Sequence, residues 1–290
     1  MSRVVRVAAA QLGPSGTKSE NADRMCALVD RAAEKGAQIV AFPELSLTPY
    51  FPIRNERGYE QYFVPLGDPH LQAVIARAGS RGLAAVVPFA ERDGISLYNS
   101  CAIADISGQV VGRYRKIHIP GAFPLPDRGA LVFEKMYFTP GDLGYPVFDV
   151  GPARIGVQIC YERNFPEGYR ILAMRGAEII FTPTNLMRIS EVWHSGTWEL
   201  VLRARAYENG CFIVGINKAG REWDLDYVGD SLVARPTDGE VIARSEAKGD
   251  DLLVVDLDLD EIDEARRRLP FMRDRQPLTY GPLARTETTA

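Results

Sequence analysis

Three residues with reactive side chains stand where apolar runs stop. Glu44 follows Ile39-Val40-Ala41-Phe42-Pro43, Lys116 follows Val110 to Arg115, and Cys160 follows Arg154-Ile155-Gly156-Val157-Gln158-Ile159. A thiol is a nucleophile only as its thiolate, which helix N-termini and nearby cations stabilise. Cys160 meets the first condition, because Phe165-Pro166-Glu167 reads as the opening of a helix just downstream. A carboxylate among apolar neighbours binds its proton more tightly and can act as a base near neutrality, the role open to Glu44. Lys116 adds a fixed positive charge. Taken singly each has a plainer reading: a buried small cysteine, a solvated glutamate, a solvated strand end. Together they are a nucleophile, a base and a cation, a set with mechanistic sense.

The elements that must bring them together alternate along the chain. Val4 to Ala10, Gln38 to Phe42, Leu83 to Phe89, Leu97 to Asp105 and Val110 to Arg115 read as strands. Glu20 to Lys35 and Pro69 to Arg81 read as helices, closed by Gly36 and Gly82. Lys116 to Asp142, rich in Pro and Gly, breaks the pattern, and a stretch of that length inside a compact domain is usually functional or disordered. Pro146 to Val150, Arg154 to Ile159, Glu178 to Thr182, Cys211 to Asn217, Ser231 to Arg235, Glu240 to Arg244 and Leu252 to Leu257 read as further strands. Pro166 to Arg175, Trp198 to Asn209 and Asp260 to Arg268 read as helices, and the end from Thr286 as frayed. This is one α/β domain over 1–290, and in α/β sheets ligands gather at the carboxyl ends of strands. Glu44, Lys116 and Cys160 all lie at such ends.

Composition narrows the partners. The 290 residues are 46% hydrophobic and 25% charged with a formal net charge of −4, ordinary for a globular protein. Arg266-Arg267-Arg268 reads as a solvated helix end, so no nucleic-acid surface is expected. No apolar run approaches the roughly 20 residues that span a bilayer, so no membrane contact is expected. The N-terminus reads as a strand rather than an export signal, which implies a reducing cytoplasm and free thiols. Cys26, Cys101 and Cys211 fit packing roles on a helix face and in apolar strands. No pair among His70, His118, His194 and the cysteines has metal-ligand spacing, so neither a metal nor a cofactor is expected. The first strand is not followed by a Gly-rich phosphate loop, which argues against a nucleotide-binding protein.

The chain resembles the nitrilase, or carbon–nitrogen hydrolase, superfamily over essentially its full length. The resemblance rests on Val40-Ala41-Phe42-Pro43-Glu44, Tyr114-Arg115-Lys116-Ile117-His118 and Gly156-Val157-Gln158-Ile159-Cys160-Tyr161-Glu162, in that order. Arg203 to Gly210 and Asn217-Lys218-Ala219-Gly220 are similar as well. Within the superfamily the chain looks most like N-carbamoyl amino acid amidohydrolases, which include the β-ureidopropionases. Lys116 to Gly121, Phe133 to Val147, and Arg273-Asp274-Arg275-Gln276-Pro277 carry that likeness. It departs from the D-carbamoylases at Asn164, where those enzymes have a second Arg, which leaves the substrate's chirality open.

The resemblance implies a four-layer α-β-β-α sandwich that dimerises or assembles further, with the tail 269–290 packing on a partner subunit. It implies that Cys160 attacks a carbonyl carbon, that Glu44 is the base, and that Lys116 with the backbone N–H of Tyr161 stabilises the oxyanion. Glu134 falls on the second pocket glutamate and would hold Lys116 or the substrate NH₂. Arg163 falls where carbamoyl amino acid hydrolases bind a carboxylate, which a guanidinium matches with two parallel hydrogen bonds. Tyr161, Asn185 and His118 are the other expected substrate contacts, though a Glu base removes the need for a Cys–His pair. Tyr50 and its neighbours from Leu47 to Pro52, and Trp193-His194, read equally well as pocket lining or packing. The expected substrate is a small carboxylate-bearing N-carbamoyl compound. The competing readings are an amide, carbamoyl amine or nitrile on the same residues, or a non-catalytic interaction protein on the same fold.

Overall fold

A computed structural model describes residues 3–55, 57–121, 123–125, 129–188 and 195–285. Trp193, His194 and the segment from Thr286 lie outside these residues.

Two six-stranded sheets form the centre. The first contains β1 (Val4–Gln11), β2 (Ile39–Ala41), β3 (Ala84–Asp93), β4 (Ser96–Ala104) and β5 (Val110–Arg115). A pair of short antiparallel strands, β6 (Phe123–Leu125) and β7 (Gly129–Leu131), stands apart from it. The second sheet contains β8 (Phe148–Asp149), β9 (Arg154–Val157), β10 (Ile179–Thr184) and β11 (Phe212–Asn217). After the hairpin β12 (Ala219–Glu222) and β13 (Leu225–Val228) it is completed by β14 (Leu232–Ala234) and β15 (Val241–Arg244). The last strand, β16 (Asp251–Asp258), returns to pair with β1, so the orders are β16-β1-β2-β3-β4-β5 and β15-β14-β11-β10-β9-β8.

Strand alternation explains the layers. On β1, Val7 and Ala9 face the other sheet and pack with Ile155, Phe181 and Val214. Ala8 and Ala10 face the opposite way. There they meet Met25 and Val29 of α1 (Lys18–Glu34) and Leu71 and Ile75 of α2 (Pro69–Ser80). On the far side, α4 (Pro166–Met174) and α5 (Ser195–Asn209) cover the second sheet through Leu172, Trp198 and Leu202. The result is helix, sheet, sheet, helix. α5 lies close because β11 presents Gly215, where a Cβ would stand 2.5 Å from Leu202 and 2.7 Å from Trp198.

The elements read from the sequence are present, with instructive differences. The irregular stretch after Lys116 contains a four-residue helix, α3 (Glu134–Tyr137), too short to leave a periodic signal. β9 ends at Val157, two residues early, because the N–H of Ile159 is taken by the Glu162 side chain at 2.8 Å instead of by a neighbouring strand. The β12–β13 hairpin leaves no mark in the sequence, since Trp223-Asp224 carries no Gly turn signal. The helix α6 (Asp260–Arg268) has the bounds expected of it. The tail begins against its own chain: Phe271 meets Tyr207 edge-on at 5.5 Å and Met272 packs on the α4–α5 layer.

Candidate active site

β5 runs along the edge of the first sheet, above the β8–β9 edge of the second. The two edges approach at Gly112, where a Cβ would lie 2.4 Å from the Phe148 ring. β5 and β9 therefore end close together across the two sheets, and the side chain of Glu44, which follows β2 in the first sheet, reaches Lys116 at the end of β5. A carboxylate fixes the register between the last two. Glu162, fully buried, accepts Ile159 N–H at 2.8 Å on one side and Ile117 N–H at 3.0 Å on the other. The Tyr114 hydroxyl donates to the same carboxylate at 2.7 Å. A second clamp holds the end of β5 from outside. Arg115 donates to Glu91 through Nε at 2.8 Å and Nη2 at 3.0 Å, and to Asp142 at 2.9 Å. Gly141 lets this segment approach, since a Cβ there would stand 2.2 Å from Arg115 O.

Lys116 is wholly buried between two carboxylates. Its Nζ donates to Glu44 Oε1 at 2.7 Å and to Glu134 Oε2 and Oε1 at 2.8 and 3.0 Å. Burial pushes the ammonium down, but the Glu134 and Glu44 charges outweigh it and hold Lys116 above the ordinary lysine value. Burial pushes Glu134 up; against the Lys116 charge, and with Glu44 adding to it, its carboxyl stands at about 7. Glu44 Oε1 also accepts Asn99 Nδ2 at 2.8 Å, while Asn185 Nδ2 donates to the Glu44 backbone oxygen at 2.8 Å. Glu44 Oε2 is buried without a partner, as is Asn185 Oδ1. Unpaired buried acceptors are costly to leave unmade, so both oxygens have acceptor capacity to spare.

Cys160 opens the 3₁₀ turn Cys160–Asn164 with φ of +50°, a left-handed conformation that turns its side chain out of the strand line. Burial pushes the thiol up to about 12, with Glu44 raising it and Lys116 and Arg163 lowering it. At neutral pH it is a thiol lying in the field of Glu44, Lys116 and Glu134, and needs a base to react. Arg163 Nη1 donates to Cys160 O at 2.9 Å and stands 3.9 Å from Sγ.

The structure thus brings Glu44, Lys116, Glu134 and Asn185 into one hydrogen-bonded cluster, with Cys160 and Arg163 beside it. His118 and Tyr161 both meet the Phe165 ring. His118 stacks on Phe165 at 4.0 Å with Nδ1 3.4 Å from Glu162, and Tyr161 meets Phe165 edge-on at 5.2 Å. Sequence reasoning missed Asn99, Glu162 and the Arg115 clamp, and left Tyr50 undecided. Tyr50 donates to Glu134 Oε1 at 2.5 Å. Glu162 had a signal, a carboxylate three residues beyond the apolar run that ends at Ile159; Asn99, inside a strand, had none. Among the described residues, no group of three or more His, Cys, Asp or Glu could hold a metal ion. Among them, too, no helix is long and apolar enough to cross a membrane.

Such a site, on two stacked sheets between helix layers, defines a cysteine- and carboxylate-bearing hydrolase class. The carbon–nitrogen hydrolase family model matches residues 6–267, and the chain belongs to that family. It is 35% identical to the N-carbamoylputrescine amidase of Oryza sativa, over 96% of this chain and 94% of that protein. It is 31% identical to the citrullinase of Francisella tularensis, over 97% and 98%. A variant amidase of Nesterenkonia sp. AN1, with an acetamide moiety on its active-site cysteine, superposes with a TM-score of 0.78 at 28% identity, covering 96% of both chains. The chain is a hydrolase of non-peptide C–N bonds.

Proposed function

We propose that this protein hydrolyses the carbamoyl group of an N-carbamoyl amino acid to the amino acid, CO₂ and ammonia. The observation that carries the reading is Lys116, buried and held by Glu44 and Glu134 at 2.7 and 2.8 Å next to a buried thiol. Glu44 takes the Cys160 proton as sulfur bonds to the carbamoyl carbon. The oxyanion that forms faces Lys116 and the Tyr161 backbone N–H, each such donor contributing roughly 3 kcal/mol. The C–N bond to NH₂ breaks, and the departing nitrogen takes the proton from Glu44. Glu44 then removes a proton from water as its oxygen attacks the S-carbamoyl carbon. The C–S bond breaks, the thiol regains its proton, and the released carbamic acid loses CO₂. Glu134 keeps Lys116 aimed, and Asn185 fixes the backbone of Glu44.

The substrate class follows from the reach of Arg163. Its Nη1 is 3.9 Å from Sγ. In an N-carbamoyl α-amino acid the carboxylate carbon is three bonds from the carbamoyl carbon, about 3–4 Å. A guanidinium at that place reaches such a carboxylate and falls short of the far end of a long chain. The two relatives named for citrulline and N-carbamoylputrescine support a carbamoyl substrate, since both compounds end in one.

A second reading has its own observation. Arg163 Nη1 donates to Cys160 O at 2.9 Å, a bond that shapes the turn without any substrate. If that is its whole task, a carbamoyl amine or a simple amide becomes the substrate. Ammonia release from N-carbamoyl α- and β-amino acids, citrulline, N-carbamoylputrescine, amides and nitriles separates the two. Turnover of the N-carbamoyl amino acids supports the first reading. Turnover confined to cationic or neutral compounds discards it.

The tail from residue 269 is expected to pack on a second copy of the chain, and the full exposure of Leu278 and the 72% exposure of Leu283 support this. A monomer by analytical ultracentrifugation at micromolar concentration would refute it.

A further inference from the structure

Tyr50 lies beyond the loop that follows β2, and both of its ends are engaged. Its hydroxyl donates to Glu134 Oε1 at 2.5 Å, and its backbone N–H donates to Glu222 Oε1 at 2.9 Å. Glu222, on β12, is itself buried and fully used. It accepts Lys218 Nζ at 2.6 Å on each oxygen and Ser15 N–H at 2.7 Å. Lys218 Nζ donates in addition to Ser15 Oγ at 3.0 Å. An unbroken series of buried polar contacts therefore runs from Lys218 at the end of β11, in the second sheet, to Lys116 at the end of β5, in the first. A tyrosine needed only for packing would not require a buried carboxylate at each end.

We propose that Tyr50 is a positioning residue whose hydroxyl fixes Glu134 on Lys116, and that the buried Glu222–Lys218 pair holds Tyr50 in place to do so. The inference rests on the reading that Lys116 and Glu44 serve Cys160. Glu134 has two tasks to reconcile: it must stay anionic to hold Lys116, yet it is buried beside the second anion, Glu44. The titratable groups that act on it among the described residues are Lys116, Glu44, Tyr50 and Cys160. Burial, then the Glu134 and Glu44 charges, keep the Tyr50 phenol protonated well above its ordinary value, so it acts only as a donor. A donor stabilises the ionised carboxyl and opposes the burial that raises Glu134 to about 7. When Glu134 takes up a proton, Lys116 is left to pair with Glu44 alone, which holds that carboxylate away from the Cys160 proton.

The test is the pH dependence of Cys160 alkylation by iodoacetamide, read by peptide mass, with ammonia release measured in parallel. The wild-type rate is expected to fall on the acid side of about pH 7, following Glu134. In Tyr50→Phe that acid limb moves up by about one pH unit, the size of one hydrogen bond to a charged group. Glu222→Gln, which loosens the Tyr50 backbone, moves it the same way by less and serves as the second variant if Tyr50→Phe fails to fold. In a Glu134→Gln background, Tyr50→Phe produces no further shift. A Tyr50→Phe rate lowered equally at every pH, or an acid limb unmoved in both variants, overturns the proposal. If wild-type Cys160 resists alkylation and Cys160→Ala still releases ammonia, the functional reading itself fails and takes this proposal with it.

Discussion

Glu162 Oε1 stands 3.0 Å from the backbone nitrogen of Ile117. This bond ties the residue after Lys116 to the turn that begins at Cys160. The cation and the nucleophile come from different sheets, and one carboxylate sets the distance between them. Glu162→Gln places an amide NH₂ where two oxygens now accept N–H and O–H donors. It is expected to lower stability by about 2–4 kcal/mol and to reduce kcat more than it raises KM. Urea unfolding with steady-state kinetics checks both; stability within about 0.5 kcal/mol of wild type, an ordinary surface effect, would speak against a registering role.

Removal of the cation should be worse than removal of either carboxylate. Lys116→Met leaves Glu44 and Glu134 buried together without a positive charge, a loss of about 3–5 kcal/mol at neutral pH. Burial, no longer opposed by the Lys116 charge, then holds Glu134 further above its unfolded value. The folded form binds that proton more tightly, so the deficit is absent below the unfolded value and grows as pH rises from it to the raised one. The variant should therefore lie closer to wild type in acid than in mild alkali. Melting curves across pH that run parallel to wild type would contradict this. Turnover should fall by roughly 10²–10³, as for a lost oxyanion donor.

The thiol makes a separate prediction. With burial and then Glu44 pushing Cys160 up to about 12, no thiolate forms in the free enzyme in mildly alkaline solution. Ultraviolet thiolate absorbance of wild type and Cys160→Ala should coincide through about pH 9, around the ordinary thiol value. An extra thiolate in wild type would mean a preformed ion pair rather than a thiol deprotonated by Glu44 during attack.

Arg163 separates the two substrate readings. Arg163→Lys keeps the charge and removes the planar fork. If Arg163 binds a carboxylate, KM for N-carbamoyl amino acids should rise at least tenfold while kcat for a neutral amide stays within a few fold, about 1.4 kcal/mol being tenfold. An equal fall in kcat for both substrates would assign Arg163 to the Cys160 turn alone.

Much of this arrangement was legible in the chain, and the physical reasons differ by residue. Strands buried on both faces, such as Ile39 to Ala41 and Ile179 to Thr184, leave continuous apolar runs, and the helix ends at Gly36 and Gly82 use positive φ. Glu44, Lys116 and Cys160 could be found because each follows such a run. Glu134 was reached only through resemblance, since nothing local marks a carboxylate in a one-turn helix. Asn99 was hidden because its partner, Glu44, is 55 positions away. The same holds for Glu222, which meets Tyr50 across 172 positions. Such contacts depend on how the two sheets stack, and periodicity within one element carries no trace of that.

In the proposed reaction Cys160 forms the covalent intermediate. Rapid acid quenching of the enzyme during turnover of an N-carbamoyl amino acid, followed by peptide mass mapping, tests it most directly. An added mass equal to the substrate less ammonia is expected on the peptide that carries Cys160. That adduct should be absent from Cys160→Ala, which should also release no ammonia. An adduct on another residue, or undiminished turnover by Cys160→Ala, would contradict it.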